Sequence, residues 1–149
     1  MFYIREFEFY DSEDGYVCAV PFGMGEGTFG DDMDDAVESA ADYMREYVND
    51  LLIDGKDVPE PTFGNAPEHG GKVIAIAVDC DLAKVDAVSA ADAARILGVS
   101  RARVAQMCDA GLLQSWKEGG KRLVTRDSVD ARLVEQPKAG RPRKETAMA

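Results

Sequence analysis

A chain of 149 residues can hold one domain or two small ones, since domains run from roughly 50 to 250 residues. Its net charge of −11 averages two opposite stretches: residues 1–86 hold 21 acids against 5 bases, a net of −16, and residues 87–149 hold 7 acids against 12 bases, a net of +5. An acidic stretch repels phosphate, whereas a basic one gains affinity for DNA by releasing condensed counterions, so the halves suit different partners. No apolar run reaches the roughly 18 residues of a membrane span, and Met1-Phe2-Tyr3-Ile4-Arg5-Glu6 lacks the basic-then-apolar order of a signal peptide, so a cytoplasmic chain is expected. Cys18, Cys80 and Cys108 are odd in number and form no CxxC, which fits reduced thiols rather than a disulfide framework or a zinc site.

Phe2 to Tyr10 alternates apolar and charged residues, and Tyr16 to Val20 is a second β-prone run. Asp11-Ser-Glu-Asp14-Gly15 between them supplies turn residues, with Asp14-Gly15 able to take positive φ, so the pair predicts a β-hairpin. Thr28-Phe29 predicts a short third strand. From Asp32 onward Met33, Ala36, Val37, Ala40, Met44, Tyr47, Val48 and Leu51 recur at helical spacing and predict an amphipathic helix ending near Gly55, before Pro59 and Pro61. Lys72 to Val78 is an apolar run short enough for a strand covered on both faces.

Two patterns in this half suggest chemistry that their surroundings oppose. Gly25-Glu-Gly27-Thr-Phe-Gly30 satisfies GxGxxG before a helix, the arrangement that cradles a dinucleotide pyrophosphate. Asp31, Asp32, Asp34 and Asp35 crowd the same helix start and would repel phosphate. Those aspartates could hold a divalent metal, but Asp32 as N-cap with Asp35 three residues later approximates a capping box, and the others complement the helix dipole. The single histidine, His69, sits in a Pro-Glu-His-Gly-Gly loop with no ligand partners nearby in sequence, so no catalytic triad or metal site is read.

Tyr3 to Phe9, Asp14-Gly15-Tyr16-Val17 to Val20-Pro21, Thr28-Phe29-Gly30-Asp31, Asp34-Asp35-Ala36 and Val58-Pro59-Glu60-Pro61, in this order and spacing, resemble the N-terminal domain of HicB antitoxins over roughly residues 1–80. The resemblance implies a partial RNase H-like fold, without nuclease activity, that binds and blocks a small RNA-cleaving HicA toxin. The chain departs from the family where an Asp-Leu-Pro-Gly-type turn is replaced by Phe22-Gly-Met-Gly-Glu-Gly27.

In the basic half, Ser89 with Asp92 predicts the capped start of a helix whose apolar face is Ala93, Ile96 and Leu97. Gly98-Val99-Ser100 predicts a tight turn, with Gly98 left-handed and Ser100 capping a second helix to about Ala110. Val104 and Met107 face the core in that helix, and Arg101, Arg103 and Gln106 face outward. Two short helices joined this way form a helix-turn-helix, whose second helix enters the major groove. Arginine suits guanine there and glutamine suits adenine, although solvated surface arginine is the bland alternative. Gln114 to Val124 predicts two strands around Gly119-Gly120, a wing carrying Lys117, Lys121 and Arg122 toward phosphates, with Trp116 as its core anchor. Thr125 or Asp127 opens a last helix. Ala91 to Val129 resembles the excisionase and MerR-type winged helix-turn-helix. Gly140-Arg141-Pro142-Arg143-Lys144 reads either as a generic basic tail or as an AT-hook core for a narrow minor groove.

The expected fold class is α+β: a β-β-β-α-β domain, partial RNase H-like by resemblance, over residues 1–80, a linker over 81–87, a winged helix-turn-helix over 88–135 and a basic disordered tail over 136–149. Ser100, Arg101, Arg103, Gln106, Lys117, Lys121, Arg122, Arg141 and Arg143 are the candidate DNA contacts. The expected function is a non-enzymatic antitoxin, without cofactor or metal, that neutralises a HicA-type toxin and represses its own operon as a homodimer or higher homo-oligomer on operator DNA. The alternative is a transcription regulator or excisionase-like factor whose first domain senses a ligand or oligomerises. A metal-dependent RNase H-like nuclease using Asp32 and Asp35 is a third class, expected to show no activity.

Overall fold

The computed structural model describes residues 1–139 and divides after Lys84 into two compact units. Its architecture is mixed α+β, with a β-rich first unit and a helix-turn-helix in the second. Arg141, Arg143 and the expected tail beyond residue 139 lie outside the described residues.

The first unit contains β1 (Phe2–Asp11), β2 (Val17–Pro21), β3 (Thr28–Gly30), α1 (Met33–Ile53) and β4 (Lys72–Asp79), followed by a 3-10 turn at Leu82–Lys84. The strands form one antiparallel sheet in the order β3-β2-β1-β4. The β1–β2 hairpin runs from Phe7 opposite Pro21 to Asp11 opposite Val17. Its turn is closed by Ser12 N–H donating to the Tyr16 carbonyl at 2.8 Å. Only Gly15 takes positive φ, at 90°, so Asp14 does not adopt the mirror-turn conformation its sequence allows.

Asp32 Oδ1 accepts the Asp35 N–H at 2.8 Å and starts α1; Asp35 reaches back to the Asp31 N–H rather than to that of Asp32. The helix ends as expected, with Gly55 at φ 69° and the Lys56 N–H returning to the Leu51 carbonyl at 2.8 Å, the bonding of a Schellman stop. Its buried stripe, Ala36, Ala40, Met44 and Val48, recurs every four residues and packs on Phe7, Phe9, Ala19, Ile76 and Val78. Gly27 and Gly30 of the GxGxxG pattern serve this packing. A Cβ on Gly27 would run into the Ala19 carbonyl oxygen, and one on Gly30 into the Ala36 backbone nitrogen.

One expectation for this unit is corrected. β4 is not covered on both faces: α1 covers Ile76 and Val78, while Ala75 and Ala77 are exposed, because the unit has a single helix and β4 lies at the edge of the sheet. Not every charged residue of β1 is turned to solvent. Arg5 and Glu8 are each only 2 % exposed. They hold the stretch between α1 and β4, which has no helix or strand.

The Arg5 guanidinium donates to the Pro59 and Glu60 carbonyls at 2.6 and 3.1 Å, and burial lowers its pKa. Glu6 accepts the Gly64 and Asn65 N–H groups, and Glu8 accepts those of Glu68, His69 and Gly71 at 2.8, 2.8 and 2.9 Å. Burial alone would raise the Glu8 carboxyl. The three amides and the His69 ring outweigh it and hold the group at about 2, down from 4.5.

The second unit contains β5 (Ala87–Ser89), α2 (Ala90–Leu97), α3 (Arg101–Asp109), β6 (Ser115–Glu118), β7 (Lys121–Thr125) and α4 (Arg126–Ala139). Ala87, read as linker, forms β5 with Val88 and Ser89, and Ser89 is also the expected N-cap of α2. This strand pairs antiparallel with β7 from Ala87 opposite Thr125 to Ser89 opposite Leu123. The sheet order is β5-β7-β6. Ala93, Leu97, Val104, Met107, Leu113, Val124 and Val129 form the core. Thr125 Oγ1 accepts the Ser128 N–H at 3.3 Å and caps α4, which continues to Ala139, past the expected boundary at residue 135.

Candidate nucleic-acid interface

The helix-turn-helix is built by local caps. Ser89 Oγ accepts the Asp92 N–H at 3.0 Å and starts α2; Gly98 stops it at φ 69°, ψ 32°. This left-handed conformation costs a glycine least. The Val99 N–H returns to the Ala94 carbonyl at 3.0 Å. Ser100 Oγ then accepts the Arg103 N–H at 3.0 Å and starts α3. With Val104 and Met107 buried, helical periodicity turns Arg101, Arg103 and Gln106 to solvent, where all three are exposed. Arg103 Nη1 lies 3.5 Å from Gln106 Oε1.

The hairpin β6–β7 is the wing. Its turn is Gly119-Gly120, both at positive φ, and its register sets Lys117 opposite Arg122 and Glu118 opposite Lys121. Trp116 is 8 % exposed and its indole N–H donates to Glu118 at 3.4 Å, so it anchors the hairpin.

Ion pairing sorts the bases of this unit. Arg95 pairs with Asp92, Arg122 with Asp109, Arg126 with Asp130 and Arg132 with Glu135. Of the bases from residue 85 to residue 135, Arg101, Arg103, Lys117 and Lys121 have no ion-pair partner among the described residues. These four belong to α3 and the wing, and each is exposed. Arg122 differs from the other expected contacts. It is held 3.6 Å from Asp109 at the end of α3 and 3.4 Å from Ser115 Oγ, an arrangement that ties wing to helix. Its partner Asp109 escapes a sequence reading because the contact joins separate elements.

The first unit presents a different surface. On the sheet face away from α1, Tyr16 and Phe29 stack edge to face at 5.2 Å and are 43 % and 58 % exposed. They border a shallow groove of about 480 Å³ whose lining includes Tyr10, Cys18 and Val20 and is charged only by Asp14 and Glu26. A second groove of about 480 Å³ is lined by Tyr10, Asp11, Met33, His69 and Lys72, among others. His69 stacks on Tyr10 at 4.2 Å and lies 3.2 Å from Glu8, contacts that tie down the loop carrying it. Among the described residues no group of three or more His, Cys, Asp or Glu side chains is placed to hold a metal. No helix of the described residues is long and apolar enough to cross a membrane.

No curated protein and no solved structure matches the chain. A family model described as a helix-turn-helix domain matches residues 87–136, a span that begins at β5 and includes α2, α3 and the wing. The second unit therefore has a helix-turn-helix arrangement similar to that family, which supports DNA binding by this unit.

Proposed function

We propose that the chain is the DNA-binding antitoxin of a toxin-antitoxin pair of the HicB type. Its second unit represses its own operon by binding operator DNA. Its first unit, a partial RNase H-like domain without enzymatic activity, captures a HicA-type RNA-cleaving toxin. One observation carries the DNA-binding half: of the bases from residue 85 to residue 135, those without ion-pair partners among the described residues belong to α3 and the wing. Arg101 and Arg103, with Gln106, are the candidates for base edges, and Lys117 and Lys121 for phosphates; Arg122 positions the wing.

Three features support the antitoxin half. They are the resemblance over residues 1–80, the net −16 of residues 1–86, and the aromatic groove whose charged lining is wholly acidic. A toxin that binds RNA is basic, so opposite charge would speed its encounter with this face. The test is co-expression with the product of the adjacent short gene. Residues 1–84 should pull it down and relieve its toxicity; failure of both would remove the antitoxin reading. A regulator with a ligand-sensing first unit is the second reading, favoured by the His69-lined groove.

A further inference from the structure

The two edges of the first sheet differ in how they are guarded. An edge strand presents unpaired N–H and C=O groups to other chains, and proteins blunt it by shortness, charge, proline or a bulge. β3 has only three residues. β4 has eight, its ladder with β1 is unbroken from Phe2 opposite Asp79 to Phe9 opposite Lys72, and between Lys72 and Asp79 it contains no charge, proline or glycine.

Hydrogen-bond direction shows which groups the edge offers. The Phe22 N–H donates to the Glu6 carbonyl and the Cys80 N–H to the Met1 carbonyl, both at 3.0 Å. Even-numbered residues of β1 therefore bond toward β2 and odd-numbered ones toward β4. With Tyr3 opposite Val78 and Phe7 opposite Ile74, the even-numbered residues of β4 are bonded to β1. Val73, Ala75, Ala77 and Asp79 thus point their N–H and C=O away from the sheet.

We propose that β4 pairs antiparallel with β4 of a second copy, joining two four-stranded sheets into one continuous sheet. The strand is complementary to itself. About a two-fold axis at Ile76, Ile76 of one copy lies opposite Ile76 of the other, Ile74 opposite Val78 and Ala75 opposite Ala77, so each residue meets one on its own face of the sheet. Antiparallel pairing also sets the basic Lys72 end of each strand beside the acidic Asp79 end of the other; parallel pairing would set like beside like. A helix-turn-helix reads two half-sites as a dimer, so this pairing would also supply operator affinity. That consequence alone rests on the proposed DNA binding.

The test is the mass of the full chain by light scattering on a sizing column. The wild type is expected at twice 16.2 kDa, and Ala75→Lys and Ala75→Pro at the single-chain mass with unchanged circular dichroism, because the lost N–H points off the free edge. In the wild type, amide exchange at Ala75 and Ala77 should slow at least tenfold as protein concentration rises; this decides the matter should both variants fail to fold. A single-chain mass for the wild type at every concentration overturns the proposal, as does a dimer that persists in both variants. Normal dimerisation with no operator binding leaves the β4 interface standing and removes the DNA-binding reading instead.

Discussion

The two units use charge in opposite directions. In the first, Arg5, Glu6 and Glu8 of β1 turn their charges onto the backbone of residues 59–71, so a stretch without regular structure is fixed by a strand. In the second, the bases from residue 85 to residue 135 without ion-pair partners among the described residues are exposed on α3 and the wing. Removing a charge from the first unit should therefore cost stability, and removing one from the second should cost binding. A sequence count of charges cannot separate these uses, since burial and pairing decide them.

The largest expected effect tests the outward charges. Arg101→Ala and Arg103→Ala should each weaken binding to the DNA upstream of the gene by ~1–3 kcal/mol, about fivefold to more than a hundredfold. Fluorescence anisotropy measures this, while the thermal midpoint stays within about a degree of wild type. A fall in toxin capture by the full chain in either variant would break the division of labour between the units.

The inward charges give the next effect. Glu8→Ala leaves three part-buried N–H groups without their acceptor and should destabilise the first unit by ~1–3 kcal/mol, read by urea denaturation, with operator binding unchanged. Glu8 also carries a pH signature. Its folded pKa of about 2 lies below the ordinary 4.5, so its stabilisation is complete above pH 4.5 and is lost as pH falls toward 2. Glu8→Gln should flatten that part of the stability profile, and an unchanged profile would mean that Glu8 is not what ties the loop to the sheet.

Legibility in the sequence followed the range of each interaction. Gly98 and Ser100 announce the turn because their bonds reach only a few residues along the chain, and the ends of α1 at Asp32 and Gly55 follow the same logic. The burial of Arg5 and Glu8 depends on partners more than fifty residues away, so the local pattern of β1 does not announce it. β4 has the composition of a strand buried on both faces, yet what covers a strand is set by helix count and sheet order. β5 is missed for a related reason: Ala87, Val88 and Ser89 become a strand only because β7 returns beside them.

The next effect in size separates phosphate contact from positioning. Lys117→Ala and Lys121→Ala should each reduce the slope of log affinity against log salt by about 0.9, with little change in preference between DNA sequences, as measured by titration at several salt concentrations.

The smallest effect concerns the tie between wing and helix. Asp109 is 74 % exposed and Arg122 23 %, so their pair should contribute only ~0.2–1 kcal/mol to stability. Asp109→Asn releases Arg122 without removing a base. If Arg122 positions the wing, this variant should weaken operator binding by a small factor and leave the salt slope unchanged, and Arg122→Ala should do the same. If Arg122→Ala instead lowers the slope as much as Lys121→Ala does, Arg122 meets a phosphate when DNA is bound and belongs with the outward charges. Comparing those two slopes decides whether a charge paired in the free protein stays paired at work.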